Sequence, residues 1–473
     1  MNDLTRGPIT RRILAFAFPI ILGNLFQQLY MFTDALIVGR LIGVEAFAAV
    51  GSTQSLHWLL IGFSIGACHG FAIPVAKAFG AGDHAALRKY AAAAVIVCGL
   101  VAVVLTVLGT IFSPAIISAM NTPAAILDHA ILYFTVTAAG ASATIAYNFL
   151  AGMLRALGNA KTPLYFLIGS SLLNAALVLL FVGVFNSGLG GVAATTIIAK
   201  AAAALGCVIY IWKRVPLLHL QRSDFRAIKS EAVEVARNGL PMGFQMSIIA
   251  IGALVLQAGV NGLGTDATAA FATAARVEKI GNMQLNALGV AMVTYVAQNR
   301  GAEQWRRIRQ GVLRASLVAT GIAGILGLVQ VIFGRYLAIM LVGAEAIEVL
   351  DMAAQFFRVN GMLVFILGLM FIMRNTMQGL GIPSVPMLGG ILELIVRAGF
   401  GLTLVGSIGF LAVSFSGPVA WFAALVPSAI CWFVQRRKLI ALEKDAARRA
   451  RGTQPALIEE TVELDQSNLI AVA

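Results

Sequence analysis

The chain has 473 residues, of which 59% are hydrophobic and only 12% charged, with a mean hydropathy of +0.88. A water-soluble chain keeps about a quarter of its residues charged, so this composition cannot clothe a solvated surface and implies a polytopic membrane protein. At about 20 residues per span there is room for about a dozen transmembrane helices, and the longest polar stretch, after Val434, is too short for a catalytic domain outside the membrane.

In chain order, apolar stretches bounded by Gly, Pro, Asn or charge predict spans near 13–38, 47–74, 90–112, 127–152, 163–185, 190–212, 233–260, 268–297, 310–333, 350–377, 386–408 and 413–434. The first follows Arg6, Arg11 and Arg12 like the core of a signal peptide. It runs on to about Val38 without a small-residue cleavage site, so a retained helix is expected. Between the sixth and seventh spans lies the longest internal connection, 213–232, rich in Lys and Arg and read as a solvated basic face with no nucleic-acid role. The tail, 436–473, turns from basic to acidic. The four cysteines all lie inside apolar runs without CxxC spacing and are read as reduced core residues.

The formal net charge of +13 sorts by connection. Alternate connections carry Lys77, Arg88 and Lys89, then Arg155 and Lys161, then the 213–232 cluster, then Arg300 to Arg314, Arg374, and the basic tail, whereas the others hold little beyond Arg40 and Arg335. Basic residues collect on the cytoplasmic side. Both termini are therefore expected inside a bacterial plasma membrane, with an even number of spans.

A weak internal repeat runs through the chain. Pro19 matches Pro241 (241 − 19 = 222), Gly80-Ala81 matches Gly301-Ala302 (301 − 80 = 221), and Leu157-Gly158 matches Leu380-Gly381 (380 − 157 = 223). Three matches in register indicate a duplication. With six spans per copy the halves share one orientation and are related by an axis along the membrane normal. The expected fold is all-α, with twelve transmembrane helices in two six-helix lobes: residues 1–212, a linker at 213–232, residues 233–435, and a tail at 436–473.

Polar groups inside spans cost free energy and are default candidates for function. Asn24, Gln27 and Asp34 recur at spacings of three and seven, which keeps them on one helix face. Asp34 has no basic residue one turn away and is the favoured candidate for taking up and releasing a proton. Pro19 removes a backbone hydrogen bond in the same helix and invites a bend. Asn174, alone in the fifth span, reads equally as interhelical glue or as an ion ligand. In the second half, Glu278 and Asn282 lie one turn apart, and Glu393 and Arg397 have the spacing of an ion pair. Lys200 and Arg358 either line a cleft or snorkel. No nucleotide-binding, hydrolase or metal-ligand motif is found, so neither a catalytic residue nor a cofactor is expected, and uphill work must draw on an ion gradient.

The run from Pro19 through Asn24, Gln27 and Tyr30 to Asp34 and Val38-Gly39-Arg40 resembles the first helix of multidrug and toxic compound extrusion (MATE) antiporters, in their DinF-like or bacterial drug-exporter branch. Arg155-Ala-Leu-Gly158, with Pro163 and Asn174, and Gln298-Asn-Arg-Gly-Ala302 resemble that family's loop signatures. The resemblance covers about residues 10–434. It implies a V-shaped cleft between lobes and export of drugs or toxins, cationic or amphipathic, against inward H⁺ or, less favoured, Na⁺, with the bilayer as the only other partner and a monomer as the working unit. It also implies that Asp34 and Asn174 couple the ion, that Gln27 and Tyr30 are lobe-interior neighbours, and that Pro19 bends the helix. Many relatives carry a second acid where this chain has Val178, which disfavours a carboxylate-rich Na⁺ site. The competing expectation is a flippase for a lipid-linked saccharide, whose diphosphate would need a basic cleft. Lys200, Arg276, Lys279, Arg358 and Arg397 were the residues available to build one.

Overall fold

The computed structural model describes residues 3–120 and 122–450, apart from the side chains at 30–36, 41, 44, 449 and 450. Among these residues the regular structure is helical throughout. The helices are α1 (Ile9–Leu41), α2 (Val44–Ala81), α3 (His84–Ile111), α4 (Ser113–Ala119), α5 (Ala124–Ala139), α6 (Ala141–Ala156), α7 (Lys161–Gly183) and α8 (Gly188–Arg214). After two short 3₁₀ turns come α9 (Lys229–Asn261), α10 (Thr265–Gly301), α11 (Trp305–Val342), α12 (Ile347–Gly379), α13 (Ser384–Gly399), α14 (Val405–Ile408) and α15 (Phe410–Ala450). Apolar side chains such as Leu100, Leu172 and Met340 point outward, the inverse of a soluble protein. Exposed Trp212, Tyr165 and Tyr336 sit near helix ends, where amphipathic rings settle at a membrane interface.

Among the described residues twelve helical passes build two lobes of six, eleven of them long and apolar enough to cross a membrane when α5 and α6 count as one. Two passes differ from the unbroken helices expected. The fourth is α5 and α6, bent by 44° at Gly140. The eleventh breaks into α13, a π turn at Phe400–Leu404 and α14. Hydropathy reports length and apolarity, which a bent pass shares with a straight one. The pass formed by α10 is the most polar, carrying Asp266, Arg276, Glu278 and Lys279.

The duplication is visible in the packing. In the first lobe α1 packs on α7, α7 on α8, α2 on α6 and α3, and α6 on α8. In the second, α9 packs on α13, α13 on α15, α10 on α12 and α11, and α12 on α15, which is the same pattern moved by one lobe. Turn chemistry repeats as well. Gly158 after α6 has φ of 79° and Gly381 after α12 has φ of 72°, a left-handed conformation that favours glycine at the same point of each repeat.

The lobes are joined at the end of the bundle where the basic residues collect. There α2 packs against α9 and α10 with glycines at the crossings: Gly66 against Met242, Gly70 against Gly239, Gly80 against Gln298, and Gly301 against Lys77. The N-terminal segment crosses the same seam. Leu4, Ile9, Ile13 and Phe16 are buried in a core otherwise made by the second lobe, with Leu288, Met292, Ile308 and Val312. Gln298 ties the joint together, accepting from the Leu4 amide at 3.1 Å and donating to the Ala156 carbonyl at 2.7 Å. Lys77 of the first lobe pairs with Glu234 of the second at 3.7 Å, and the Tyr90 hydroxyl donates to the same carboxylate.

Candidate functional site

A cavity of about 410 Å³ occupies the interior of the first lobe and is walled on its open side by the second. Its lining follows from helical periodicity. From α2 come Gln54, His57, Trp58, Ile61, Ile65 and His69, from α6 Thr144, Tyr147, Asn148 and Arg155, and from α8 Val192, Thr196 and Lys200. Each set falls at spacings of three, four or their sums, so one stripe of each helix faces inward. α1 contributes Pro19, Asn24, Gln27 and Gln28, and α10 of the opposite lobe contributes Lys279, Met283 and Asn286. Asn24 Nδ2 reaches the Met283 carbonyl at 3.5 Å and so links the two walls.

The floor lies toward the glycine seam. There the close glycine crossings of α2 with α9 and α10 bring the lobes into contact and close the cavity at the basic end.

Among the described residues the charged lining is of one sign. Arg155, Lys200 and Lys279 all face the cavity, while no described Asp or Glu lines it. Lys200 Nζ lies 5.3 Å from the centre of the Tyr147 ring, and Lys279 Nζ the same distance from the Trp58 ring, positions in which the ring faces attract the ammonium groups. Tyr147 is oriented by its hydroxyl, which donates to the Pro163 carbonyl at 3.0 Å. The remaining lining, including Ile20, Leu164, Leu167 and Met246, is largely apolar.

The sequence-derived candidates fall into three groups. Pro19 and Gln27 line the cavity, while the side chains of Tyr30 and Asp34, further along α1, lie outside the described residues. Asn174 is buried one layer behind the wall, its amide 3.3 Å from the hydroxyl of cavity-lining Thr196, and its Oδ1 has no donor among the described residues. The third group is not at this cavity. Asn282 donates to Glu278 at 3.0 Å, and Arg397 to Glu393 at 3.1 and 3.2 Å, both within the second lobe, where Glu393 is buried. Val178 is buried among Val38, Phe134 and Val182.

Three placements differ from the sequence reading. Arg155 and Arg374 were expected on basic connections, but both lie within helices. Arg155 turns into the cavity, and Arg374 is buried with its guanidinium 4.7 Å from the Phe371 ring. A long side chain in the last turns of a helix can fold back along it. Of the cations considered for a basic cleft, Lys200 and Lys279 face the cavity, Arg276 and Arg358 are exposed and do not line it, and Arg397 is bound to Glu393. His57 and His69 of α2 line the cavity as well. The overlooked signal was the stripe Thr144, Tyr147, Asn148, Arg155, which marks a polar helix face.

A family profile described as MatE matches this chain twice, over residues 19–180 and 241–403. Among curated proteins the chain is 29% identical over 354 residues to the probable multidrug resistance protein YoeA of Bacillus subtilis, covering 73% of this chain and 76% of that protein. It is 22% identical over 414 residues to the multidrug export protein MepA of Staphylococcus aureus, with coverages of 84% and 89%. Among solved structures it resembles one described as the outward-facing conformation of a multidrug resistance MATE family transporter of the MOP superfamily, with a TM-score of 0.84, 21% identity and coverages of 93% and 98%. A MOP superfamily transporter from Pyrococcus furiosus, described by the reverse polarity of its binding pocket, matches equally, with a TM-score of 0.84, 21% identity and the same coverages.

Proposed function

Because this chain belongs to the MatE family of multidrug efflux transporters, we propose that it is a secondary active exporter, moving amphipathic drugs or toxins out across the bacterial inner membrane in exchange for inward H⁺. The observation that carries this reading is the lobe-interior cavity, closed at the basic end by the glycine seam; in this reading it opens at the opposite end. If the basic end is cytoplasmic, as charge distribution favours, both termini are inside and the cavity faces the exterior, ready to release substrate and take up a coupling ion. The units that rock against each other are residues 1–212 and 233–435, connected by 213–232, with 436–473 as a cytoplasmic tail and one chain sufficing for the cycle.

Asp34 is the proposed coupling acid, two turns beyond cavity-lining Gln27 on α1, with Asn174 as its supporting polar group and Pro19 allowing α1 to repack. An ion shifts a conformational equilibrium only by its differential affinity for the two states. A carboxyl that is protonated in one state and charged in the other supplies that difference. Proton coupling is preferred to sodium because Val178 stands where a further oxygen ligand would be needed. The test uses proteoliposomes holding the purified protein. A pH gradient should drive dye export, a protonophore should abolish it, and Asp34→Asn should lower it at least tenfold while the protein remains folded. Export driven by Na⁺ and indifferent to the protonophore would refute the proton assignment.

A second reading, the flippase for a lipid-linked saccharide, gains support from Arg155, Lys200 and Lys279. The other three cations it called upon, Arg276, Arg358 and Arg397, do not line this cavity, so the exporter is preferred. Flipping of a lipid-linked diphosphate-sugar without dye export would reverse that preference.

A further inference from the structure

We infer that the first-lobe cavity is an anion site, anchored by Arg155, and that it takes amphipathic organic anions: a compact carboxylate, sulfonate or phosphate head on an apolar body. This rests on the exporter reading and specifies its substrate class.

Arg155, Lys200 and Lys279 face one cavity, and no described carboxylate lines it. Arg155 and Lys279, on opposite walls of that space, are the two cations on which the site is built. A cationic drug entering this lobe would meet like charge in a medium that screens poorly. An anion would meet opposite charge at both walls, Lys279 on the one and Arg155 on the other.

Arg155 is the strongest element. Its guanidinium carries five N–H donors in a planar fork suited to bidentate binding of a carboxylate or phosphate. It lies in the last turn of α6, and among the described residues it has neither an ion-pair partner nor a side-chain hydrogen bond. A guanidinium enclosed by a lobe without a counter-charge is costly, and a bound anion would offset that cost through charge-assisted hydrogen bonds. The other two cations are steadied by aromatic faces, Lys200 by Tyr147 and Lys279 by Trp58. For Lys279, the Trp58 face holds the ammonium in place without cancelling its charge.

Volume and lining complete the match. A cavity of about 410 Å³ is in the range that holds a small organic ligand, and its aliphatic walls suit the body of such a molecule. The same head chemistry occurs in fatty acids and in aromatic organic acids, and the test separates these sources.

The experiment measures binding to the purified full-length protein in nanodiscs of neutral lipid. The probes are a dansyl-labelled C11 fatty acid, anilinonaphthalene sulfonate and, as the cationic reference, rhodamine 6G. The wild type should bind the anions at least tenfold more tightly than the cation. Arg155→Gln should reduce that ratio at least tenfold, Arg155→Lys should retain most of it, and Lys279→Gln at the opposite wall should reduce it severalfold, with thermal melting followed for each variant. Competition by laurate alone assigns the site to acyl chains, whereas competition by both laurate and naphthoate assigns it to organic anions generally. Preference for rhodamine 6G in the wild type, or an unchanged ratio in a folded Arg155→Gln protein, would overturn the inference. If Arg155→Gln itself melts at room temperature, an unchanged ratio in Lys279→Gln overturns it instead. Binding is read without transport. Proton-driven dye export that ignores Arg155 would therefore sink this inference and leave the exporter reading standing, while Arg155-dependent anion binding without any export would do the reverse.

Discussion

Gly80→Ala should open the protein at its basic end. A Cβ built at Gly80 lies 1.9 Å from the Gln298 carbonyl oxygen and 2.7 Å from the Gln298 Cα. Ordinary contact begins at 3.4 Å, so the two helices must separate by 3.4 − 1.9 = 1.5 Å. The obstructing atoms are backbone and cannot rotate away. The partner glycine repeats the constraint from the other side, because a Cβ at Gly301 lies 1.8 Å from the Lys77 carbonyl oxygen. Overpacking of this kind costs about 1–3 kcal/mol. The clash exists only while the lobes meet at this seam, so the cost falls on that state and shifts the conformational equilibrium by about 5- to 150-fold. The assay places a single cysteine at cavity-lining Thr144 in a background with the four native cysteines replaced, and measures its reaction with an impermeant maleimide applied from the basic side. The wild type should react slowly and Gly80→Ala at least fivefold faster, with Gly301→Ala behaving alike. Gly99→Ala, where nothing lies within 4 Å of the added Cβ, is the matched control. Wild-type labelling rates in both seam variants, with melting unchanged, would refute the idea that this contact seals the cavity.

Two further substitutions test the surrounding architecture. Gln298→Ala removes the partners of the Leu4 amide and the Ala156 carbonyl, each loss costing about 1–3 kcal/mol; trypsin cleavage after Arg6 should rise about tenfold, and an unchanged rate would mean that the N-terminal segment is held by other contacts. Glu393→Gln leaves Arg397 without its buried partner and should destabilise the second lobe by about 3 kcal/mol; Glu393→Gln combined with Arg397→Gln should restore part of the melting temperature, and equal melting of the single variant and wild type would show that the pair is not structural.

Much of the molecule was legible in its sequence because the relevant physics is local or compositional. A bilayer requires each pass to satisfy its own backbone hydrogen bonds, so apolar length alone marked the twelve passes. Duplication was readable from Pro19 and Pro241 and from turn glycines such as Gly158 and Gly381, whose left-handed conformation restricts what can replace them. Asn24 and Gln27 were placed on one helix face by their spacing, and the pairing of Glu393 with Arg397 by the i, i+4 rule.

What only the tertiary structure decided is which faces meet. Glu278 and Gln27 both read as polar residues inside apolar helices. Packing puts Gln27 on a cavity wall and sends Glu278 to Asn282 in the other lobe. Arg155 read as a loop cation until the inward turn of α6 made it part of the cavity, and the bend at Gly140 left no trace in hydropathy. The seam itself joins Gly80 to Gln298, 298 − 80 = 218 residues apart. Helix formation and facial polarity are fixed within a few turns of chain. The choice of neighbour depends on the shapes of distant surfaces brought within contact distance, and no local pattern encodes those shapes.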